Sequence, residues 1–262
     1  MSAKPPLTAT STSSVHRERL RRERAFFESQ LESTGELSLA ERTPLAPIRR
    51  DMRAARLCAS AALEDGTGKL VLDIGCGTGT YMEPFARRTK ATVIAIDLSP
   101  LLLLRARSGM PPNVRFSAAD ANALPFPGET FDAVVGNAVL HHLPLDVAVP
   151  ELVRVLKPGG RFCFAEPNMV NPHMLLILNV PWIRRRIGAT ADETAFVRWR
   201  LRRSLEAQGL KEVSVRPFDF LYPFAPQPLI PVVKRVARAL EALPIVREIA
   251  GSLLVSGRKR SA

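Results

Sequence analysis

The chain has 262 residues, a formal net charge of +12 and 3 cysteines. That length can bury a full α/β core as one domain, and three cysteines without a C-x-x-C pair argue against a disulfide framework and against a zinc site. No apolar run reaches the roughly 18 residues of a membrane span, and no apolar h-region opens the chain, so a cytoplasmic protein is the expectation.

The charge lies mainly in arginine runs: Arg17 to Arg24, Arg184 to Arg186, Arg198 to Arg203 and Arg258 to Arg260. Such a distribution fits solvated helix faces. It also fits an acidic substrate, a nucleic acid or an anionic membrane surface.

Residues 1–14 are small, polar and proline-containing and read as a disordered tail. Residues 15–68 read as N-terminal helices. The first runs from His16 to Glu32 with Leu20, Phe27 and Leu31 on one face, and the second, Ala-rich, from Asp51 to Leu63. Gly66 and Gly68 end it.

Residues 69–218 alternate apolar strands with helices. Leu70–Ile74, Ala91–Ile96, Val114–Ala118, Phe131–Gly136 and Arg161–Ala165 read as strands. Tyr81–Arg88, Leu101–Arg107 and Glu151–Leu156 read as the helices between them. This alternation predicts an α/β fold, a Rossmann-like, doubly wound sheet with helices on both faces. Ligands of such sheets bind beyond the carboxyl ends of the strands. Polar residues close five successive strands there: Asp73, Asp97, Asp120, Asn137 and Glu166. Each alone is an ordinary turn residue. Together they describe a mainly acidic rim suited to a cationic ligand rich in hydroxyl and amino donors.

The first turn reads Asp73-Ile-Gly75-Cys76-Gly77-Thr-Gly79. Glycines let it close tightly and expose bare backbone to a ligand. The spacing departs from the dinucleotide fingerprint, because Thr80 stands where a third small residue belongs, and there is no P-loop.

Asp192 to Gln208 reads as a helix and Val213 to Phe218 as a sixth strand. Residues 219–250 read as a helical lid or insertion, with Val232, Val233, Val236, Leu240 and Leu243 on one face and Lys234, Arg235, Arg238 and Glu241 on the other. That helix covers the core or lies on a lipid surface. Residues 251–262 read as the last strand and a basic tail.

The turn resembles motif I of the class I S-adenosylmethionine-dependent methyltransferases. Phe131-Asp132 to His141-His142 resembles their motif IV, and Leu156-Lys-Pro158-Gly159-Gly160 their turn into strand five. The likeness spans about residues 50 to 210 and is nearest to the small-molecule, ubiquinone and menaquinone branch. It implies seven strands with the last one antiparallel, N-terminal helices over the cofactor, and S-adenosylmethionine as that cofactor. Gly75, Cys76 and Gly77 would follow its methionine part, with Asp73 near the amino group and Asp97 on the ribose hydroxyls. Leu98 would pack on adenine, Asp120 and the Ala121 amide would meet the adenine edge, and Asn137, closing the fourth strand, is a further cofactor-binding candidate.

Methyl transfer needs an aligned nucleophile, and a base only where that nucleophile loses a proton. His141, His142 and Glu166 are the candidates, and Arg49 and Tyr222 are weaker candidates for binding the acceptor. The acceptor is expected to be a small molecule, anionic or lipid-like, methylated on oxygen, with peripheral membrane contact. Carbon or nitrogen acceptors, nucleic-acid methylation and a non-catalytic cofactor-binding role stay open. Sparse aromatics and the absence of an Asn/Asp-Pro-Pro-aromatic motif after strand four disfavour nucleic acid.

Overall fold

In the computed structural model, residues 9–35, 39–180, 182, 194–221 and 225–261 are described. Tyr222, Arg184 to Arg186 and the expected helix start at Asp192 lie outside them.

In chain order the elements are α1 (Ala9–Thr34), α2 (Ala46–Ser60), β1 (Leu70–Ile74), α3 (Met82–Ala86), β2 (Thr92–Asp97), α4 (Pro100–Ala106), β3 (Val114–Ala118), β4 (Phe131–Asn137), α5 (Leu145–Val155), β5 (Leu156–Pro167), α6 (Pro172–Asn179), α7 (Arg198–Ala207), β6 (Leu210–Phe218), α8 (Ile230–Ala242) and β7 (Ser252–Lys259). The seven strands form one sheet in the order β3-β2-β1-β4-β5-β7-β6. β1 pairs in parallel with both β2 and β4. β7 runs antiparallel between β5 and β6. The strand order reverses between β1 and β4, so a crevice opens at their carboxyl ends.

The sheet's two faces carry separate cores, and β1 shows how a period of two divides them. Leu72 and Ile74 join Phe131, Val134, Phe162 and Phe164 on one side. Val71 joins Val93, Ala95, Val135 and Cys163 beneath α2 and α3 on the other. Asp73 shares Val71's parity, so its carboxylate falls on the side where α2 and α3 pack.

Several element limits differ from expectation. α1 begins at Ala9, inside the stretch read as a tail; no glycine or proline interrupts residues 7 to 34, so nothing stops a helix from propagating backward. α5 begins at Leu145 rather than at the expected Glu151, so Pro150 lies inside it. That proline falls in the second turn, where its missing N–H costs one early bond. α8 is amphipathic, yet Ala237 is its one buried residue. It therefore does not cover the core with its apolar stripe.

Phe131 anchors the middle of the sheet. It is fully buried and meets Phe126 edge to face at 5.1 Å. Phe131→Ala should lower unfolding free energy by about 3–5 kcal/mol. Denaturant titration would show this as a reduced midpoint at unchanged slope.

Candidate functional site

The turn after β1 is the site's first wall. Gly75 has φ +64°, and a Cβ there would come within 2.5 Å of Val139 Cγ2. Gly77 has φ +54°. Two bonds pin the turn to the end of β2. The Cys76 amide donates to the Ile96 carbonyl at 2.9 Å. The Gly77 amide donates to Asp97 Oδ2 at 2.9 Å. Asp97 Oδ1 accepts from the Ser99 amide. Burial pushes the Asp97 carboxyl up, bonds from the Ser99, Gly77 and Leu98 amides pull it down, and the result lies above the usual range.

Asp73 differs from every other acid of the rim. It is 5% exposed, and among the described residues its carboxylate receives no hydrogen bond. Burial first, and then the charge of Asp97, hold its pKa well above the ordinary carboxylate value. A buried acid without a donor is costly. A cationic donor arriving at the turn removes that cost, and the bare glycine backbone gives it room.

Beyond the turn lies a cavity of about 600 Å³. Leu98, Asp120, Ala121 and Asp97 line one end, and α1 adds Leu20, Glu23, Arg24 and Phe27 to the lining. Asp73 lines a smaller recess beside it, sharing Gly75, Cys76, Tyr81 and Asn137 with the main cavity. Asp120 Oδ1 accepts from both the amide and the side chain of Asn122. α1 is fastened over this end by Glu28, which accepts from Ser99 Oγ at 2.5 Å. That bond, with the Arg24 guanidinium and against the upward push of burial, holds Glu28 below its ordinary pKa.

At the other end the histidines meet Glu166. Glu166 is fully buried. Its Oε1 accepts from the Val139 and Leu140 amides at 3.0 and 2.9 Å. Its Oε2 lies 2.8 Å from His141 Nδ1. A neutral His141 therefore carries its proton on Nδ1, which leaves Nε2 as the basic nitrogen. His142 lies against His141 with ring centroids 4.0 Å apart. Phe27 meets His142 edge to face at 5.7 Å. Both histidines line the cavity.

The floor is an ion-pair cluster. Asp219 accepts from Arg49 Nη2 at 2.7 Å and from Arg53 Nη2 at 2.9 Å. Arg53 also donates to Asn137 Oδ1 and to Ser252 Oγ. Asp219 adopts φ +77°, a left-handed conformation that costs energy for a non-glycine residue. Burial pushes its carboxyl up, but Arg53 and then Arg49 more than offset this and hold it below the usual carboxylate range. His173 faces the same cavity, and burial together with the Arg49 charge lowers its pKa.

The structure thus places Gly75, Cys76, Gly77, Asp97, Leu98, Asp120, Ala121, Asn137, His141 and His142 on one cavity, with Asp73 in the adjoining recess. Glu166 lies behind that wall, its oxygens occupied, so it is not free to act as a base. Asn137 is engaged by Arg53. Sequence reasoning missed Arg53 and Asp219. The available signal was the spacing of Arg49, Arg53 and Arg56, which puts three guanidinium groups on one helix face.

Comparison with known proteins supplies a context. A family profile described as a methyltransferase domain matches residues 71–160. A demethylmenaquinone methyltransferase of Thermobifida fusca (strain YX) is 35% identical over 181 residues, covering 61% of this chain and 76% of the relative. A fatty-acid O-methyltransferase of Mycolicibacterium smegmatis is 38% identical over 111 residues, 41% of this chain and 40% of the relative. Among solved structures, an S-adenosylmethionine-dependent methyltransferase of Thermotoga maritima, titled a possible histamine N-methyltransferase, aligns with a TM-score of 0.63 at 17% identity. That alignment covers 90% of this chain and 99% of the other, and at such identity it speaks for the fold alone.

Asp219→Ala strands the buried Arg53 guanidinium and the half-buried Arg49 one and should cost about 3–5 kcal/mol. The sign with pH follows from the lowered pKa. Asp219's contribution is complete above its unfolded value, about 3.9, and is lost as pH falls through the lower folded value. Chemical denaturation from pH 6 downward should therefore show the gap between parent and variant closing in acid, on the order of pH 3 and below.

Proposed function

This chain belongs to the class I S-adenosylmethionine-dependent methyltransferases, and we propose that it methylates an oxygen of a small, largely apolar acceptor. The observation that carries the cofactor placement is Asp73, the buried acid with no donor beside the glycine turn. Its orphaned carboxylate fits the amino group of the cofactor. Asp97 retains lone pairs beyond its two amide bonds for the ribose hydroxyls. Asp120 and the Ala121 amide fit the adenine edge, with Leu98 against the ring. Asn137 acts here as a positioning residue, since its oxygen is held by Arg53.

The bound cofactor supplies a methyl group activated by a sulfonium. The chain's own residues then exclude water and align the acceptor. Phe27 and Leu20 of α1 and Met174 and Ile177 of α6 give the acceptor end of the cavity an apolar lining. This suits an acceptor with an apolar body, as do the names of the quinone and fatty-acid relatives. Arg49 and His173 on the same wall favour an oxygen that bears or develops negative charge.

His141 is the proposed proton acceptor. Glu166 fixes the tautomer that leaves Nε2 basic, as the orienting acid does in a triad. Glu166 is accordingly a positioning residue, and His142 and Phe27 wall the imidazole in from the far side.

Incubation with methyl-labelled S-adenosylmethionine and a panel of quinols, fatty acids and amines tests the reading; label transferred only to amines would reject the oxygen acceptor. Asp97→Ala should weaken cofactor binding by about tenfold or more in calorimetric titration, through loss of a charge-assisted acceptor. His141→Gln should lower kcat by about 10²–10⁴-fold while cofactor affinity stays near that of the parent. Glu166→Gln should move the acidic-side pKa of the kcat profile, where the base is lost by protonation, and a merely structural role would leave it in place.

A further inference from the structure

Twelve large apolar side chains are exposed among the described residues, and nine of them fall in two short segments. Leu175, Leu176 and Trp182 belong to α6 and the chain just after it. Leu229, Val232, Val236, Leu243, Ile245 and Ile249 belong to α8 and its flanks. Ile245 is 87% exposed and Trp182 62%. The two segments adjoin, because Asn171 at the start of α6 donates to the Ile249 carbonyl at 2.7 Å. Singly exposed apolar residues are ordinary, but two adjoining segments that together expose nine of them mark an interaction site.

The charges around the patch point to its partner. Lys234, Arg235, Arg238 and Arg247 are exposed and form no ion pair among the described residues. The two acids of the segment are engaged inward. Glu241 pairs with Arg56 and accepts from the Asp219 amide. Glu248 pairs with Arg198. What faces outward is therefore an apolar stripe, uncompensated cations beside it and a tryptophan at its edge. An aqueous protein partner needs no such combination, whereas an anionic bilayer satisfies all three parts: acyl chains for the stripe, headgroups for the cations and the interface for the indole.

We propose that this face, formed by α8, the turn Val246–Ile249 and the outer side of α6, docks on the headgroup region of an anionic lipid bilayer. α6 connects the face to the cavity. Its Leu175 and Leu176 look outward while His173, Met174 and Ile177 line the site. A docked protein thus has one helix between the bilayer and its acceptor pocket. This deepens the apolar-acceptor reading, but the surface argument stands without it.

Flotation with vesicles of phosphatidylcholine alone, and of an equimolar mixture with phosphatidylglycerol, tests the proposal on the full chain. The protein should float with the anionic vesicles and be released as salt rises. The double variant Val232→Asp, Val236→Asp should partition at least about tenfold more weakly. Both sites are exposed, so its melting temperature and cofactor affinity should match the parent. Lys234→Glu with Arg235→Glu should lose binding to the anionic vesicles. The chain has 2 tryptophans, so Trp199→Phe leaves Trp182 as the single reporter, whose emission should shift to the blue on the anionic vesicles. Failure to float with the anionic vesicles, an unshifted Trp182, or a double variant that floats like the parent would each overturn the proposal. So would a parent dimer that the double variant converts to monomer, since the face would then be covered by a second copy. Cofactor titration without vesicles is a separate readout, so loss of docking is not confused with loss of the methyltransferase site.

Discussion

Desolvation of carboxylates at the carboxyl end of a parallel sheet is the constraint on which this site rests. β1 and β2 deliver Asp73 and Asp97 to adjacent positions, and burial raises both above their ordinary pKa. Asp97 offsets part of this cost with backbone amides. Asp73 has no donor and lies next to a like charge. The fold maintains that unfavourable arrangement because strands packed on both faces hold the acids in place. A cationic ligand releases the stored cost, so binding energy is built in before the ligand arrives. The glycine turn serves the same end, since Gly75 meets Val139 too closely for any side chain to intervene.

A second, oppositely solved electrostatic problem holds the acceptor side together. Arg49 and Arg53 from α2 converge on Asp219 after β6, and Arg53 continues to Asn137 at the end of β4 and Ser252 at the start of β7. Four elements are thereby joined at one buried carboxylate. Here the charges neutralise one another, and the left-handed backbone at Asp219 persists because these bonds over-determine it. The same acid ties α8 to the body, since Glu241 accepts from its amide. The helix is thus fixed to the body while its apolar stripe remains outside.

The fold alone would not have assigned a reaction, because one sheet architecture hosts many chemistries. Assignment rests on particular groups: an unsatisfied acid beside a glycine turn, an acidic rim, and an imidazole whose tautomer is set by a buried glutamate. The Glu166–His141 pair shows why position outweighs residue type. By sequence Glu166 is a rim acid like the others. In space its oxygens are occupied by the Val139, Leu140 and His141 backbone and the His141 ring, which makes it an orienting group.

By itself the sequence determined the seven strands, the polar residues that close five of them and the glycine turn. Those features follow from local rules: period-two burial, turn preferences, and the need for bare backbone beside a ligand. The N-terminal helix was mislocated by several residues because composition suggested disorder, although no glycine or proline interrupts residues 7 to 34. Only the tertiary structure decided the Asp219 cluster, whose partners stand 166 and 170 residues apart. It also decided the direction of the α8 stripe. An apolar face has the same periodicity whether it meets a protein core or lies open, and only packing distinguishes them.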